Sequence, residues 1–171
     1  MLFARMLRAA RFDASVYEEL RQDPVAYAQA LVVLGIALVA MVIGAATYIV
    51  HAGGSARAAG LALIDPLALW MFPSMSLFVL GGLARVNDPK RGSDRDLLIA
   101  IGFASSPGVL WLLPYPAAAI VVWGWVMASM IVAAKAMLGI NFFKALAFVL
   151  PGVLVYWLMI TLIALLFGKT A

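Results

Sequence analysis

Five mostly apolar segments follow one another along this chain, at about residues 26–50, 66–84, 97–113, 117–138 and 143–167. A helix needs about 20 apolar residues to cross the hydrocarbon core of a bilayer, and each segment is close to that length. Only helices and closed barrels satisfy their backbone polar groups in lipid. The sequence therefore predicts an all-α polytopic membrane protein with five transmembrane helices. An interfacial segment at 1–24 precedes the transmembrane domain at 25–171.

The composition excludes several other classes of protein. Charged residues make up 12% of the chain and the mean hydropathy is +1.07, whereas a soluble domain is about 25% charged. The chain has no cysteine and one histidine, which excludes disulfides and thiol catalysis and leaves few ligands for a metal. We assign no catalytic, cofactor-binding or metal-binding residue, and we expect no cofactor.

Lysine and arginine are unevenly distributed among the segments between the predicted spans. With the N-terminus inside, ten of the 12 basic residues fall on the inner side, and only Arg57 and Lys169 fall on the outer side. Basic residues are retained on the cytoplasmic side of membranes. The sequence therefore predicts a cytoplasmic N-terminus and, after five spans, a C-terminus outside. The same bias accounts for a pI near 9.7 without a nucleic-acid partner.

The first 24 residues predict two short helices ahead of the first span. The apolar positions of the first helix are Leu2, Phe3, Met6, Leu7 and Ala10, and its basic positions are Arg5 and Arg8. This spacing is typical of an amphipathic helix that lies on the membrane surface, and the alternative is a frayed terminus. Ser15 and Glu18 have the spacing of a capping box, which predicts a second helix that ends before Pro24.

Three prolines fall inside predicted spans, at Pro73, Pro107 and Pro151. A proline inside a helix removes one backbone hydrogen bond and displaces a carbonyl, so we expect these spans to be kinked. The small residues that we expect to allow close helix packing near Pro107 are Gly102, Ser105, Ser106 and Gly108. The two serines are also nearby donors for the freed carbonyl of Phe103. The kink either packs helices together or provides a hinge or binding notch.

Two short motifs predict where the second and third spans begin. Asp65 followed by Pro66 combines a favoured N-cap residue with a favoured first helical residue. The alternative is that Asp65 is an intramembrane carboxylate with a function. Ser93 and Asp96 have the spacing of a capping box, which predicts that the third span begins there.

Charged residues on the predicted cytoplasmic side form a candidate contact surface. Its members are Glu18, Glu19, Arg85, Lys90, Arg91 and Arg95. We expect the N-terminal segment and the loop between the second and third spans to lie together. Basic residues near a membrane attract anionic headgroups, so this surface is expected to contact a partner or anionic lipid. The alternative is that the loop is basic only because it sets the orientation.

Several stretches resemble the Yip1 domain proteins over nearly the whole chain. They are "YEELRQDP" before the first span, the basic loop after the second, "FASSP", "IVVWGWVMASMIVAAKAML" and "NFFKALA". That family has five spans and a cytoplasmic N-terminus, and its eukaryotic members act in vesicle traffic as adaptors and membrane shapers. Phe103 stands where the family often has tyrosine, and the long acidic N-terminal region of the eukaryotic members is absent. The resemblance therefore implies a short, prokaryotic-type member and gives no basis for binding Rab-type GTPases.

These observations lead us to expect a non-enzymatic integral membrane protein that acts as an organiser or adaptor in a prokaryotic inner membrane. Its expected partners are membrane lipids and either other integral membrane proteins or further copies of this chain. Two alternatives stay open. One is an accessory subunit of a larger membrane complex, and the other is a small transporter or channel.

Overall fold

The structure is a computed structural model that describes residues 1–51, 56–88, 92–113 and 116–167. Its helices are α1 (Leu2–Ala10), α2 (Ser15–Gln22), α3 (Ala26–His51), α4 (Ala56–Asn87), α5 (Asp94–Ala104), a 3-10 helix (Ser106–Leu112), α6 (Pro116–Leu138) and α7 (Phe142–Phe167). The described residues contain no strand, and the protein is 88% helical. The all-α prediction is therefore confirmed.

Five of these helical segments are long and apolar enough to cross a membrane. They are Ala26–Val50, Leu67–Asn87, Asp94–Leu112, Ile120–Leu138 and Phe142–Ile163. This confirms the predicted number of spans, and it fits an integral membrane protein. We refer to these segments as the first to fifth spans.

The third span, which consists of α5 and the 3-10 helix, lies at the centre of the bundle. In its most apolar stretch 72% of the residues are buried, against 44% or fewer in each of the other four spans. It contacts α3, α4 and α6, and also the two short N-terminal helices. The first, second, fourth and fifth spans therefore carry most of the exposed apolar surface of the bundle.

The helix that carries the second span, α4, begins earlier than the sequence predicted, although the apolar stretch itself is Leu67–Asn87. Helix α4 starts at Ala56 and continues through Pro66, so the expected start at Asp65 and Pro66 is wrong. The residues before Pro66 are mostly alanine and leucine, which favour helix strongly. Proline inside a helix removes one backbone donor, and membrane helices tolerate that loss because neighbouring groups replace it.

The sequence predicted that the third span is one kinked α-helix, and this is wrong. Helix α5 ends at Ala104, and Pro107 is the second residue of the 3-10 helix that follows. The first residues of a helix have no intrahelical acceptor for their N–H groups, so proline is tolerated there. By contrast, Pro73 and Pro151 lie inside α4 and α7, which stay helical on both sides of them.

The two predicted capping boxes have opposite outcomes. Ser93 caps α5 as predicted: its Oγ accepts from the Asp96 N–H at 3.2 Å, and its own N–H donates to Asp96 Oδ2 at 2.7 Å. The box at Ser15 is wrong, because Ser15 is the first helical residue and Ala14 is the N-cap. Asp13 takes the capping role instead, since its Oδ1 accepts from the Ser15 N–H at 3.0 Å.

Candidate functional site

Helix α3 packs against the third span at three close approaches. A Cβ added to Gly102 would lie 2.7 Å from the Ala30 carbonyl oxygen, and one added to Gly108 would lie 3.0 Å from Ala37 Cβ. A Cβ on Gly44 would overlap the carbonyl of Trp111. The contact positions on α3 are Ala30, Ala37 and Gly44, which are seven residues apart. Two of the predicted packing residues, Gly102 and Gly108, thus lie in the interface with α3.

The interruption at Ser105 has its own hydrogen bonds. Ser105 Oγ donates to the Ile101 carbonyl at 2.8 Å and accepts from the Trp70 indole N–H at 2.9 Å. Ser106 Oγ donates to the carbonyl of Phe103 at 2.6 Å. That carbonyl is the one that would bond to residue 107 in a continuous helix, and Pro107 has no N–H to offer. Ser106 therefore serves the carbonyl that the break leaves open, whereas the Ile101 carbonyl also keeps its bond from the Ser105 backbone N–H at 3.2 Å.

Pro73 in α4 leaves a carbonyl open in the same way, and another span supplies the donor. The carbonyl of Leu69, four residues before Pro73, accepts from the Trp123 indole N–H of α6 at 3.2 Å. On the other side of α4, Ser76 Oγ donates to the Phe148 carbonyl of α7 at 2.7 Å. The proline region of α4 is thus held by two neighbouring helices.

The bond from Trp123 can be tested by a double-mutant cycle with Pro73. Trp123→Phe removes the donor and should lower the free energy of unfolding by about 1 kcal/mol. In a Pro73→Ala background the introduced alanine supplies its own N–H to the Leu69 carbonyl, so Trp123→Phe should then cost close to nothing. Unfolding of detergent-solubilised protein with SDS measures both costs. Equal costs in the two backgrounds would show that Trp123 does not serve this carbonyl.

The two N-terminal helices form a hairpin, which we call the N-terminal hairpin (residues 2–22). Helix α1 has three distinct faces. Met6 and Ala9 are buried against the bundle, Phe3 and Leu7 are exposed, and the basic face turns toward α2. The predicted first helix is present, but its arginines bind α2 and its apolar residues divide between the core and the exposed surface; its place on the membrane surface stays a prediction.

The arginines of α1 are paired with carboxylates throughout. Arg5 lies 2.7 Å from Glu19 and 2.6 Å from Asp23, and it also donates to the side-chain oxygen of Gln29 at 2.7 Å. Arg8 binds Asp13 at 2.8 Å and Glu19 at 2.7 Å. The side chain of Arg5 is only 12% exposed. The positive charges of α1 are thus neutralised within the hairpin and the start of α3.

These contacts lower the pKa of three carboxyl groups. The Ser15 hydroxyl and Arg8 lower the pKa of Asp13 to about 2. Hydrogen bonds from Arg5 and Arg8 lower the pKa of Glu19, and the Val25 N–H together with Arg5 lowers that of Asp23. All three carboxylates therefore stay ionised at pH values where an isolated one is half protonated.

The hairpin is fixed to the ends of two spans. Arg95, at the start of α5, donates to the Arg21 carbonyl at 3.3 Å and also to the Asp23 carbonyl. Arg21 donates to the carbonyl of Met137 near the end of α6, and its Nε lies 3.9 Å from Asp96. The N-terminal segment and the start of the third span therefore do lie together.

A further bond fixes the other end of the hairpin. The indole N–H of Trp125 in α6 donates to the Ala10 carbonyl, the last residue of α1, at 2.7 Å. Neither Trp125 nor Arg21 is predicted from the sequence to be a contact residue. Their partners are backbone carbonyls more than 100 residues away in the chain, and such acceptors leave no signal in a sequence pattern.

The predicted contact surface is only partly available for another molecule. Glu18 is exposed, whereas Glu19 is bound by Arg5 and Arg8. Arg85 pairs with Asp94 at 2.6 Å, and Arg95 holds the hairpin. Lys90 and Arg91 lie outside the described residues.

An open apolar groove of about 450 Å³ runs between α3 and the 3-10 helix, with Gly35 and Ala40 on one side and Val109 on the other. Across residues 1–51, 56–88, 92–113 and 116–167, no three histidines or carboxylates come together to hold a metal ion.

The protein is thus an all-α protein with five candidate membrane-spanning helices and an N-terminal hairpin bound to the central span. The chain matches no protein-family model, no curated protein and no solved structure. The resemblance to the Yip1 domain proteins therefore stays a prediction.

Proposed function

We propose that this protein is a non-enzymatic membrane adaptor of the Yip1 type, and that the hairpin side of the bundle docks another membrane protein. The observation that carries the proposal is the attachment of the hairpin to the start of the third span through Arg95 and to the end of the fourth span through Arg21. A segment held at both ends presents a preorganised surface, and preorganisation lowers the entropic cost of binding. We place this side in the cytoplasm, as the distribution of basic residues favours.

The exposed part of this surface defines what a partner would contact. Glu18 on α2 and Asp94 at the start of α5 are exposed and acidic, and the basic residues Lys90 and Arg91 lie in the adjoining loop of the sequence. Mixed charge of this kind sets the specificity and the association rate of an interface more than its affinity. The proposed partner has a complementary mixed-charge surface close to the membrane.

The test is affinity purification from native membranes in mild detergent, followed by quantitative mass spectrometry. We expect the amount of a co-purifying membrane protein to be at least tenfold lower with the variant Glu18→Arg/Lys90→Gln/Arg91→Gln than with the wild type. Lys144→Gln is the matched control, because Lys144 is an exposed cation on α7 outside this surface. Arg95 is left intact because it holds the hairpin. Equal recovery of the same proteins from the triple variant and the control would refute the adaptor proposal.

Helix α7 supports a second candidate, an accessory subunit of a larger membrane complex. Only 17% of its apolar stretch is buried within the protein, the lowest share of the five spans. Trp157 and Leu158 are among its exposed residues. A subunit that fills a gap between helices buries such a face against its complex. Recovery of one partner in stoichiometric amount, lost on Trp157→Ala/Leu158→Ala and kept in the triple variant above, would favour the subunit over the adaptor.

A further inference from the structure

The N-terminal hairpin extends along the third and fourth spans instead of lying across their ends. Its α2 end is held where α5 begins and α6 ends, through Arg95 and through the Met137 carbonyl. Its turn is held by Trp125, which binds the Ala10 carbonyl and lies 12 residues from Met137, or about 18 Å along a helix. Because the hydrocarbon core of a bilayer is about 30 Å thick, the turn lies close to the middle of the core.

The third span gives the same depth independently. Helix α1 contacts the 3-10 helix as well as α5. The 3-10 helix begins at Ser106, 12 residues after the start of α5 at Asp94. The hairpin therefore runs from one edge of the bundle to the middle of the spans, and it returns to the same edge.

The turn of the hairpin is neither helical nor covered by the rest of the protein. Arg11, Phe12 and Ala14 lie between α1 and α2, and all three are exposed. Irregular backbone at membrane depth occurs where it is buried in protein or lines a water-filled cavity, because lipid tails offer its polar groups no partner. Arg11 also makes no ion pair with any residue that the structure describes, and a charged side chain is costly in hydrocarbon. These properties favour water, and not lipid, next to the turn.

The exposed face of α2 leads from the turn back to the edge of the bundle, and it is polar throughout. The buried residues of α2 are Val16, Tyr17 and Leu20, and its exposed residues are Ser15, Glu18, Glu19, Arg21 and Gln22. The exposed surface of α7 at the same depth is apolar. Leu154, which lies 12 residues after the start of α7 at Phe142, is 60% exposed. Two surfaces at one level of the bundle thus differ in chemistry, one suited to water and the other to lipid.

We propose that the turn and the polar face of α2 line a water-filled cleft, which opens at the edge of the bundle near Met137 and ends at Arg11. Arg8 and Asp13 next to the turn bind each other, so Arg11 gives the inner end of the cleft a net positive charge. Clefts with low-dielectric walls focus such a charge and concentrate counter-ions. The cleft therefore attracts small anions from solution. The proposal does not depend on the adaptor function, because it involves no partner protein.

Thiol reactivity tests for water in the cleft, since the chain contains no cysteine of its own. Ala14→Cys at the turn, Gln22→Cys at the edge of the bundle and Leu154→Cys on α7 are prepared in phosphatidylcholine nanodiscs that hold one copy of the protein. Each is treated with a charged methanethiosulfonate, which reacts with the thiolate. Because a thiolate does not form in apolar surroundings, Ala14→Cys should react within about tenfold of the rate of Gln22→Cys, and Leu154→Cys about a hundredfold more slowly than Gln22→Cys.

Two results would overturn the cleft. One is a reaction of Ala14→Cys as slow as that of Leu154→Cys, which would show that the turn is dry. The other is protection of Ala14→Cys in native membranes although it reacts in nanodiscs, which would show that another protein occupies the space assigned to water.

The attraction of anions is tested at the same thiol, with the ratio of the reaction rates of an anionic and a cationic methanethiosulfonate. Arg11→Gln in the Ala14→Cys protein should lower this anion-to-cation ratio about threefold, because the focused positive charge is lost. Arg11→Lys keeps the charge and should keep the ratio. Lys144→Gln, which removes an exposed cation on α7, should also leave it unchanged. An equal ratio with and without the charge at Arg11 would refute the attraction of anions to the inner end of the cleft.

Discussion

Replacing Gly44 with alanine is expected to destabilise the protein by about 3 kcal/mol, the upper part of the range for overpacked sites. The added methyl group would overlap the carbonyl of Trp111 in the 3-10 helix. Backbone atoms cannot rotate away as a side chain can, so α3 and the third span have to separate. The free energy of unfolding, measured by SDS titration of the protein in detergent micelles, checks this expectation.

Gly35 provides the matched control on the same helix. Nothing lies within 4 Å of the position that its Cβ would take, and alanine favours helix over glycine by about 1 kcal/mol. Gly35→Ala should therefore leave stability unchanged or raise it by up to that amount. If Gly44→Ala unfolds at the same SDS fraction as Gly35→Ala, then α3 does not approach the third span at Trp111.

The parts of this fold that the sequence predicts correctly depend on short-range or additive properties. The number of spans follows from segment length and apolar content, which need no knowledge of the tertiary structure. The capping box of Ser93 and Asp96 is local, because its two partners are three residues apart. The start of α4 is harder to predict, since a favoured N-cap and first residue at Asp65 and Pro66 compete with a helix-favouring segment on their N-terminal side.

The interruption of the third span shows why the site is less predictable than the fold. Pro107 indicates a disturbance, but a kink and a change to 3-10 geometry both accommodate a missing N–H. Which one occurs depends on groups from other helices, such as the Trp70 indole that binds Ser105. That Gly102 lies in an interface could be predicted from its small size and its position within the span. That its neighbour is Ala30 could not be predicted, because this depends on how the helices are arranged.

The N-terminal hairpin illustrates the same limit for charged residues. Glu19 was a candidate for contact with a partner because it is acidic and predicted to be at the surface, yet Arg5 and Arg8 both bind it. The two arginines lie three residues apart on one face of α1. An acidic residue in the next short helix could therefore pair with both arginines, and the sequence alone is compatible with that pairing. The choice between pairing within the chain and pairing with another molecule depended on how the two helices fold back on each other.

Replacing Gly152 with alanine is expected to have a similarly large effect on the second and fifth spans, again of about 3 kcal/mol. A Cβ at this position would overlap the carbonyl of Phe72 and lie 2.6 Å from the Cα of Pro73. Helix α7 would have to move away from α4, and the bond from Ser76 to the Phe148 carbonyl would be stretched. SDS titration measures the loss, as for Gly44.

Gly82 of α4 is the control for this contact, because nothing lies within 4 Å of its Cβ position and alanine there should be tolerated. A second measurement locates the damage. Ser76→Ala alone should cost about 0.6 kcal/mol, the average for hydrogen bonds between membrane helices. In the Gly152→Ala background, where that bond is already stretched, it should cost less. A full cost of Ser76→Ala in that background would show that α4 and α7 remain together, and that the backbone of Phe72 and Pro73 does not limit how closely they pack.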